Sequence, residues 1–182
     1  VFGAGYPQFT VSHDWDDGAK LLRLRVKQTQ KLEAKTSIFR IPFELEVTTA
    51  KGAKSFHLTC DRAEQDFFVP VDARPIMVLF DKGGQILKTL EHGKTREELL
   101  YQLQSADGVL DRIWAARELG RSQSGPAVVR ALEHSLLHDP FYGVRQAAAT
   151  ALGEIRAPAC VAALHKGPFE ANSHARPPAM AA

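Results

Sequence analysis

The spacing of apolar residues changes near Lys94, and this change limits the folds that the chain can adopt. From residue 9 to about residue 90, apolar and polar side chains alternate, as in the run from Leu22 to Val26. Such alternation is typical of strands with one buried face. Beyond Lys94 the apolar residues recur at helical spacing instead. The sequence therefore predicts a mainly β plus α chain of two modules, an antiparallel β-sandwich followed by a helical module.

The first module is predicted to contain seven short strands. They are expected near residues 9–11, 22–26, 41–47, 56–60, 66–71, 76–80 and 85–90. The turn sequences Asp16-Asp17-Gly18 and Asp81-Lys82-Gly83-Gly84 contain residues that tolerate positive φ, so both are expected to form tight hairpins. Pro42 has no N–H group to offer to a β-ladder and is therefore expected at a sheet edge or at a bulge.

Capping signals mark the helices of the second module. Thr95 followed by Glu98 is a capping box, in which the hydroxyl and the carboxylate bond N–H groups at a helix start. A second helix is predicted over residues 109–119, with Gly120 as its end. Proline suits the first turn of a helix, because its φ is fixed there and its missing N–H costs nothing. The expected starting prolines are Pro126, Pro140 and Pro158.

The second module contains an internal repeat. Arg112, Ala115, Ala116, Leu119 and Gly120 recur 33 residues later as Arg145, Ala148, Ala149, Leu152 and Gly153. Pro126, Ala127, Val129, Ala131 and Leu132 recur 32 residues later as Pro158, Ala159, Val161, Ala163 and Leu164. These two sets of residues recur with nearly the same period. Such a repeat predicts stacked helical hairpins, that is, an α-solenoid. The sequence around Arg145 resembles short HEAT-like repeats, and an alanine-rich helical bundle is the alternative.

These patterns divide the chain into three parts. We place a β-sandwich domain at residues 1–93, a HEAT-like helical repeat domain at residues 94–167 and a disordered tail at residues 168–182. The tail has small residues and prolines without periodicity. Cys60 and Cys160 fall in different modules, so we expect two buried small side chains rather than a disulfide.

Composition argues against two classes of partner. Lys and Arg number 23 against 21 Asp and Glu, and no basic cluster of the kind that binds nucleic acid stands out. The longest apolar run, near residues 76–80, is far shorter than the roughly 20 residues that cross a bilayer. We therefore expect a soluble chain with no nucleic-acid or membrane partner, and we favour a cytoplasmic location.

No motif for zinc chemistry is present in the sequence. None of the seven histidines is followed by glutamate, so the zinc-peptidase motif His-Glu-x-x-His is missing. His134 and His138 lie one helical turn apart and could share a metal ion, but we favour two partly exposed histidines at a helix C-terminus. Trp15 and Trp114 are expected to pack in structural roles rather than to bind ligands, with Trp114 between the sandwich and the first helices.

Three short motifs follow one another in the first module. Gly5-Tyr6-Pro7 precedes the first strand, Gln28 or Gln30 closes the second, and Ile41-Pro42 begins the next. In this order they resemble the small β-sandwich that follows the catalytic domain in zinc aminopeptidases of the aminopeptidase-N-like (gluzincin) family. The resemblance implies a sandwich that holds no metal and stands between a catalytic domain and a C-terminal helical domain. A HEAT-like repeat of this short period departs from that family's usual helical domain.

The resemblance implies that the chain is the non-catalytic scaffold portion of an aminopeptidase-like zinc metallopeptidase. It would brace a catalytic domain that precedes residue 1, and that domain would hold the zinc and remove N-terminal residues from peptides. The expected partners are this catalytic domain and other proteins along the helical repeat.

No residue of the chain is expected to be catalytic or to bind metal. Structural or interface roles are expected for Gly5, Tyr6, Pro7, Trp15, Arg112, Trp114 and Arg145. The alternative function is a protein-interaction scaffold without enzymatic activity, like the aminopeptidase-related TATA-binding-protein-associated factors.

Overall fold

The computed structural model describes residues 5–32, 37–122 and 125–155. They form two compact units that divide between Lys94 and Thr95. Within these residues the first unit contains seven strands and the second contains four helices, so the predicted mainly β plus α fold is confirmed. The helix expected to begin at Pro158, Cys160 and the tail predicted at residues 168–182 lie outside the described residues.

Two sheets make up the first unit. The strands are β1 Gln8–Asp16, β2 Leu21–Gln28, β3 Ile41–Thr49, β4 Gly52–Cys60, β5 Glu64–Pro70, β6 Met77–Phe80 and β7 Thr89–His92. One sheet has the order β5-β2-β1-β7 and the other has the order β4-β3-β6. Neighbouring strands are antiparallel, as predicted, except for β1 and β7. That pair is parallel, and the chain crosses from one sheet to the other between β6 and β7.

The apolar side chains of alternate positions meet between the two sheets. Phe9 of β1 packs edge-on against Phe80 of β6, with ring centroids 5.1 Å apart. Phe43 of β3 packs edge-on against Phe67 of β5 at 5.5 Å. The fully buried residues of this core include Leu22, Leu24, Val26, Leu45, Val47 and Val78. Burial of each such side chain contributes about 1.5–3 kcal/mol, so the layer between the sheets is the main source of stability in this unit.

The chain between β6 and β7 forms a loop instead of the predicted hairpin and strand. Asp81 is buried with a φ of 55°. Its carboxylate accepts hydrogen bonds from the N–H groups of Gln85 at 3.1 Å and Ile86 at 3.0 Å, and it also contacts the ammonium of Lys88. Because a strand would need these N–H groups for its neighbour, the strand expected over residues 85–90 begins only at Thr89, and as β7 it continues to His92.

Pro42 lies in β3, the middle strand of its sheet, at a position that is open on one side. β6 pairs only with residues 45–48 of β3. The N–H of Lys82 donates to the carbonyl of Glu44 at 3.1 Å, so the backbone polar groups of Glu44 face the side of β6. By alternation Pro42 faces the same side, beyond the end of β6. Its missing N–H therefore removes no bond from the ladder.

Four helices make up the described part of the second unit. They are α1 Arg96–Ser105, α2 Val109–Ser122, α3 Pro126–His138 and α4 Tyr142–Ile155. Thr95 caps α1, because its hydroxyl accepts a hydrogen bond from the N–H of Glu98 at 3.2 Å, as the sequence predicts. Pro126 is the first residue of α3, again as predicted, whereas α4 begins two residues after Pro140.

Gly120 does not end α2, contrary to the prediction, since the helix continues to Ser122. A Cβ atom placed on Gly120 would lie 2.7 Å from both Cα and Cβ of Ala151 in α4. Such a distance is too short for any side chain, so glycine is needed here for the close approach of two helices. Fully buried alanines of the same core are Ala115, Ala116, Ala148 and Ala149. Small side chains thus set the spacing of the repeat, as the sequence indicates.

Candidate functional site

A cleft of about 720 Å³ opens in the helical unit beside the C-terminal ends of α1 and α3. Its lining residues are Leu103, Gln104, Ser105, Ala106, Asp107, Arg112, His134, Ser135, His138, Asp139 and Pro140. The volume falls within the range of ligand sites in proteins. Because most of the lining side chains are polar and two helices end there, the cleft suits a polar ligand or a peptide segment better than an apolar molecule.

Arg112, near the start of α2, joins α1 to the end of α3. Its Nη1 donates to the carbonyl oxygens of Ala106 at 2.9 Å and Asp107 at 3.0 Å, which satisfies carbonyls at the end of α1. Its Nε donates to Oδ2 of Asp139 at 2.9 Å, and its Nη2 donates to Oδ1 at 3.4 Å. The two side chains are 13% and 7% exposed. The guanidinium charge is therefore compensated within the protein by a bidentate pair.

Arg145 repeats half of this arrangement in α4. Its Nη1 donates to the carbonyl oxygens of Asp139 at 2.9 Å and Pro140 at 3.1 Å, which lie six and five residues earlier. Arg112 bonds carbonyls at the same two offsets. Asp139 thus serves two successive repeat units, because its carboxylate binds Arg112 and its carbonyl binds Arg145.

His134 and His138 contribute the imidazole groups of the cleft. Their ring centroids are 4.9 Å apart with planes inclined by 55°, and both side chains are exposed. Within residues 5–32, 37–122 and 125–155, no group of three or more His, Cys, Asp or Glu side chains is arranged to hold a metal ion. The histidine pair therefore stands in the cleft as two exposed hydrogen-bonding groups at the end of α3.

The other residues singled out in the sequence lie apart from this cleft. Gly5, Tyr6, Pro7 and Trp15 belong to the sandwich unit, and Trp114 belongs to the helical unit. The carbonyl of Pro7 accepts a hydrogen bond from the N–H of Thr89 at 3.2 Å, at the point where β1 begins. Trp15 is half-buried against the sandwich core, and Trp114 is half-buried against the helical core. Of the predicted site residues, the structure brings Arg112 and Arg145 together, through Asp139.

Sequence reasoning missed the structural role of Gln28. This side chain is 5% exposed at the end of β2. Its Nε2 donates to the carbonyl of Phe39 at 2.8 Å, and its Oε1 accepts from the N–H of Phe39 at 3.0 Å. Gln30 adds a further bond, from its Nε2 to Oε1 of Gln28 at 3.0 Å. The sequence contains a signal for this role. Gln28 follows Leu22, Leu24 and Val26 on the inward-facing side of β2, and a polar side chain at such a position needs buried hydrogen-bond partners.

The helical unit is similar to HEAT repeats. A protein-family model with the description HEAT repeats matches residues 89–167, which include all four described helices. The match agrees with the repeat found in the sequence and with the equivalent bonds of Arg112 and Arg145.

The fold of most of the chain is similar to part of a solved aminopeptidase. The crystal structure of Legionella pneumophila aminopeptidase A in complex with aspartic acid is 15% identical to this chain, with a TM-score of 0.61. The alignment covers 85% of this chain and 18% of that chain, so this chain spans less than one fifth of the aminopeptidase. At this identity the likeness establishes a shared fold. No curated protein matches the sequence.

None of the helices in the described part of the chain is long and apolar enough to cross a membrane.

Proposed function

We propose that this chain is the non-catalytic scaffold portion of an aminopeptidase-like zinc metallopeptidase of the gluzincin type. It would brace a catalytic domain that precedes residue 1, and the whole protein would remove N-terminal residues from peptides. The observation that carries the proposal is the coverage of the structural likeness. The alignment takes in 85% of this chain but only 18% of the aminopeptidase.

The way in which the chain uses its polar side chains supports a bracing role. Arg112 and Arg145 donate to backbone carbonyls at helix ends. Gln28 bonds both backbone polar groups of Phe39. Asp81 bonds the amides of its own loop. Side chains that form such hydrogen bonds to the backbone make a fold rigid. A domain that supports a neighbouring domain needs this rigidity.

Zinc, if the parent protein holds it, would be bound by the preceding domain. The sequence of this chain contains no His-Glu-x-x-His, the motif that supplies two imidazoles and a general base in such enzymes. When bound, the metal polarises the scissile carbonyl and activates water. No step of that hydrolysis is assigned to a residue of this chain.

A second function is favoured by the HEAT-repeat match and by the cleft. Stacked helical hairpins present extended surfaces that bind other proteins, and the exposed residues Asp107, His134 and His138 all line the cleft. The chain would then be a protein-interaction scaffold without enzymatic activity, similar in role to the aminopeptidase-related TATA-binding-protein-associated factors.

The decisive experiment begins with the coding sequence upstream of Val1. For the peptidase proposal we expect an intact His-Glu-x-x-His with a downstream glutamate, and zinc-dependent hydrolysis of fluorogenic aminoacyl substrates by the whole protein. The 182-residue chain alone should be folded and inactive. A degenerate motif with no hydrolysis would favour the interaction scaffold. Stoichiometric zinc or hydrolysis in the 182-residue chain would contradict both proposals.

A matched pair of variants in the whole protein separates bracing from catalysis. Gln28→Ala should lower the temperature of half-inactivation and leave kcat/KM unchanged well below that temperature. The reason is that the change destabilises the sandwich and leaves the active site of the catalytic domain intact. His134→Ala combined with His138→Ala should leave both quantities unchanged. A large fall in kcat with unchanged thermal stability in Gln28→Ala would contradict a purely structural role.

A further inference from the structure

His13 and His92 are joined across the parallel strand pair of the sandwich. Nδ1 of His13 lies 3.0 Å from Nε2 of His92, a hydrogen-bond distance between residues 79 positions apart. The rings meet edge-on, with centroids 5.2 Å apart and planes inclined by 84°. His92 is only 7% exposed. A bond between two imidazole nitrogens needs one ring that accepts, so at least one of the two rings must be neutral.

Two of the groups that act on His92 disfavour its protonation. Facing it are His13 on β1 and Lys94, which follows β7. The ammonium of Lys94 donates to the carbonyl of Val78 on β6. Glu91 belongs to the other face of β7, where its carboxylate accepts a hydrogen bond from the hydroxyl of Thr10 at 3.4 Å. A proton added to His92 would therefore enter a buried place beside positive charge.

β7 is, like β6, one of the two shortest strands of the sandwich. It has four residues, lies at an edge, and pairs with β1 alone. The bonds that flank it run from Thr89 N–H to the Pro7 carbonyl at 3.2 Å and from Gly93 N–H to the Val11 carbonyl at 3.1 Å. We propose that His13 and His92 form an acid-sensitive latch, which holds β7 on β1 while His92 is neutral and releases the strand when His92 is protonated. Release would free the segment that leads into α1 at Thr95.

The sign of the effect follows from burial and charge. Burial first, then the charges of Lys94 and His13, hold the pKa of His92 well below its usual value of 6.5. In the released strand the ring is in water and regains its usual pKa. The closed state is therefore fully favoured above about pH 6.5 and loses stability as the pH falls below it. Below that pH, His92 binds a proton in the released state but not in the closed state.

The test is amide hydrogen exchange in the 182-residue chain, followed by NMR at about pH 7.5 and about pH 5. After correction for the intrinsic pH dependence of exchange, opening at Thr89 and Gly93 should increase by up to about 30-fold. The amides of Leu45 and Val47 in β3, on the opposite sheet, are the internal reference. Equal changes at β7 and β3 would overturn the proposal.

Two glutamine variants provide matched controls. His92→Gln keeps hydrogen-bonding capacity but cannot titrate, so the additional opening of β7 at low pH should vanish. His57→Gln, at an exposed position of β4, should keep it. A persistent rise in His92→Gln would overturn the latch.

The ring signals of the wild-type chain give a readout that needs no variant. The imidazole of His92 should stay neutral wherever β7 remains protected. Protonation of His92 near pH 6.5 with β7 still protected would equally overturn the proposal.

Discussion

Arg112 and Asp139, which lie 27 residues apart in the sequence, form a bidentate ion pair that is almost closed to solvent. The carboxylate of Asp139 binds the arginine of one repeat unit while its carbonyl binds Arg145 of the next. A single residue in the connection between α3 and α4 therefore links two successive hairpins. The repeat is held together at this edge by charge-assisted bonds as well as by apolar packing.

Replacement of Arg112 by alanine should destabilise the helical unit more than the same change at Arg145. Arg112→Ala leaves the buried carboxylate of Asp139 uncompensated and should lower the free energy of unfolding by about 3–5 kcal/mol. Arg145→Ala removes bonds to two carbonyls and should cost about 1–2 kcal/mol. Urea unfolding followed by helical circular dichroism measures both values. Equal losses would mean that the carboxylate pair contributes little.

Alanine at Gly120 should destabilise the chain, although alanine normally favours a helix over glycine by about 1 kcal/mol. The new Cβ would lie 2.7 Å from the backbone of Ala151, so the helices must separate, at a cost of about 1–3 kcal/mol.

The matched control for this change is Gly143→Ala. A Cβ there would meet the ring of Phe141 at 2.7 Å, but that ring is 38% exposed and can turn away. Thermal unfolding should show a lower Tm for Gly120→Ala and an almost unchanged Tm for Gly143→Ala. A raised Tm for Gly120→Ala would disprove the close approach of α2 and α4.

Gln28→Ala should lower the free energy of unfolding of the sandwich by about 2 kcal/mol or more, because the N–H and carbonyl of Phe39 lose a buried partner. Gln65→Ala is the control, since its side chain bonds the amide of Asp61 at an exposed site and should change stability by no more than about 0.5 kcal/mol. Urea unfolding followed by tryptophan fluorescence would report the difference through Trp15. Similar small losses in both variants would show that the buried amide is dispensable.

Asp66 should titrate below its usual pKa of 3.8. The hydrogen bond from Arg23 comes first among the causes that lower this pKa, followed by the hydrogen bond from Arg25. The stabilisation from this carboxylate is therefore present above pH 3.8 and is lost as the pH falls through the lower pKa of the folded state. In an NMR titration Arg23→Gln should raise the pKa of Asp66, and Arg62→Gln should leave it in place. An unchanged pKa in Arg23→Gln would exclude the assigned cause.

The sequence predicts those features that depend on local periodicity. Leu22, Leu24 and Val26 mark the buried face of β2, and they are fully buried in the sandwich core. The recurrence of Arg112 as Arg145 predicts equivalent positions in two helices, and both side chains make the same pair of backbone bonds. A single chain contains this information because period and repeat are properties of neighbouring residues.

Features that depend on distant neighbours could not be predicted in this way. Gly120 looks like a helix end because glycine is common there, and only the position of Ala151 shows that it permits a helix contact. The positive φ of the first hairpin falls on Lys20 rather than Gly18, since the carboxylate of Asp16 bonds the N–H of Ala19 and shapes the turn. The role of Asp139 in the cleft likewise requires knowledge of where Arg112 lies.

The parallel pairing of β1 with β7 has a consequence for the order of events during protein synthesis. Thr10 and Glu91, which face each other in this pair, are 81 residues apart in the sequence. β1, the first strand of the sandwich to be synthesised, therefore has no partner at that edge until β7 has been made. The helical hairpins need only neighbours of about one repeat, and such local contacts form faster than distant ones. An interruption of translation before His92 would release a sandwich with an open edge, the kind of edge on which chains aggregate.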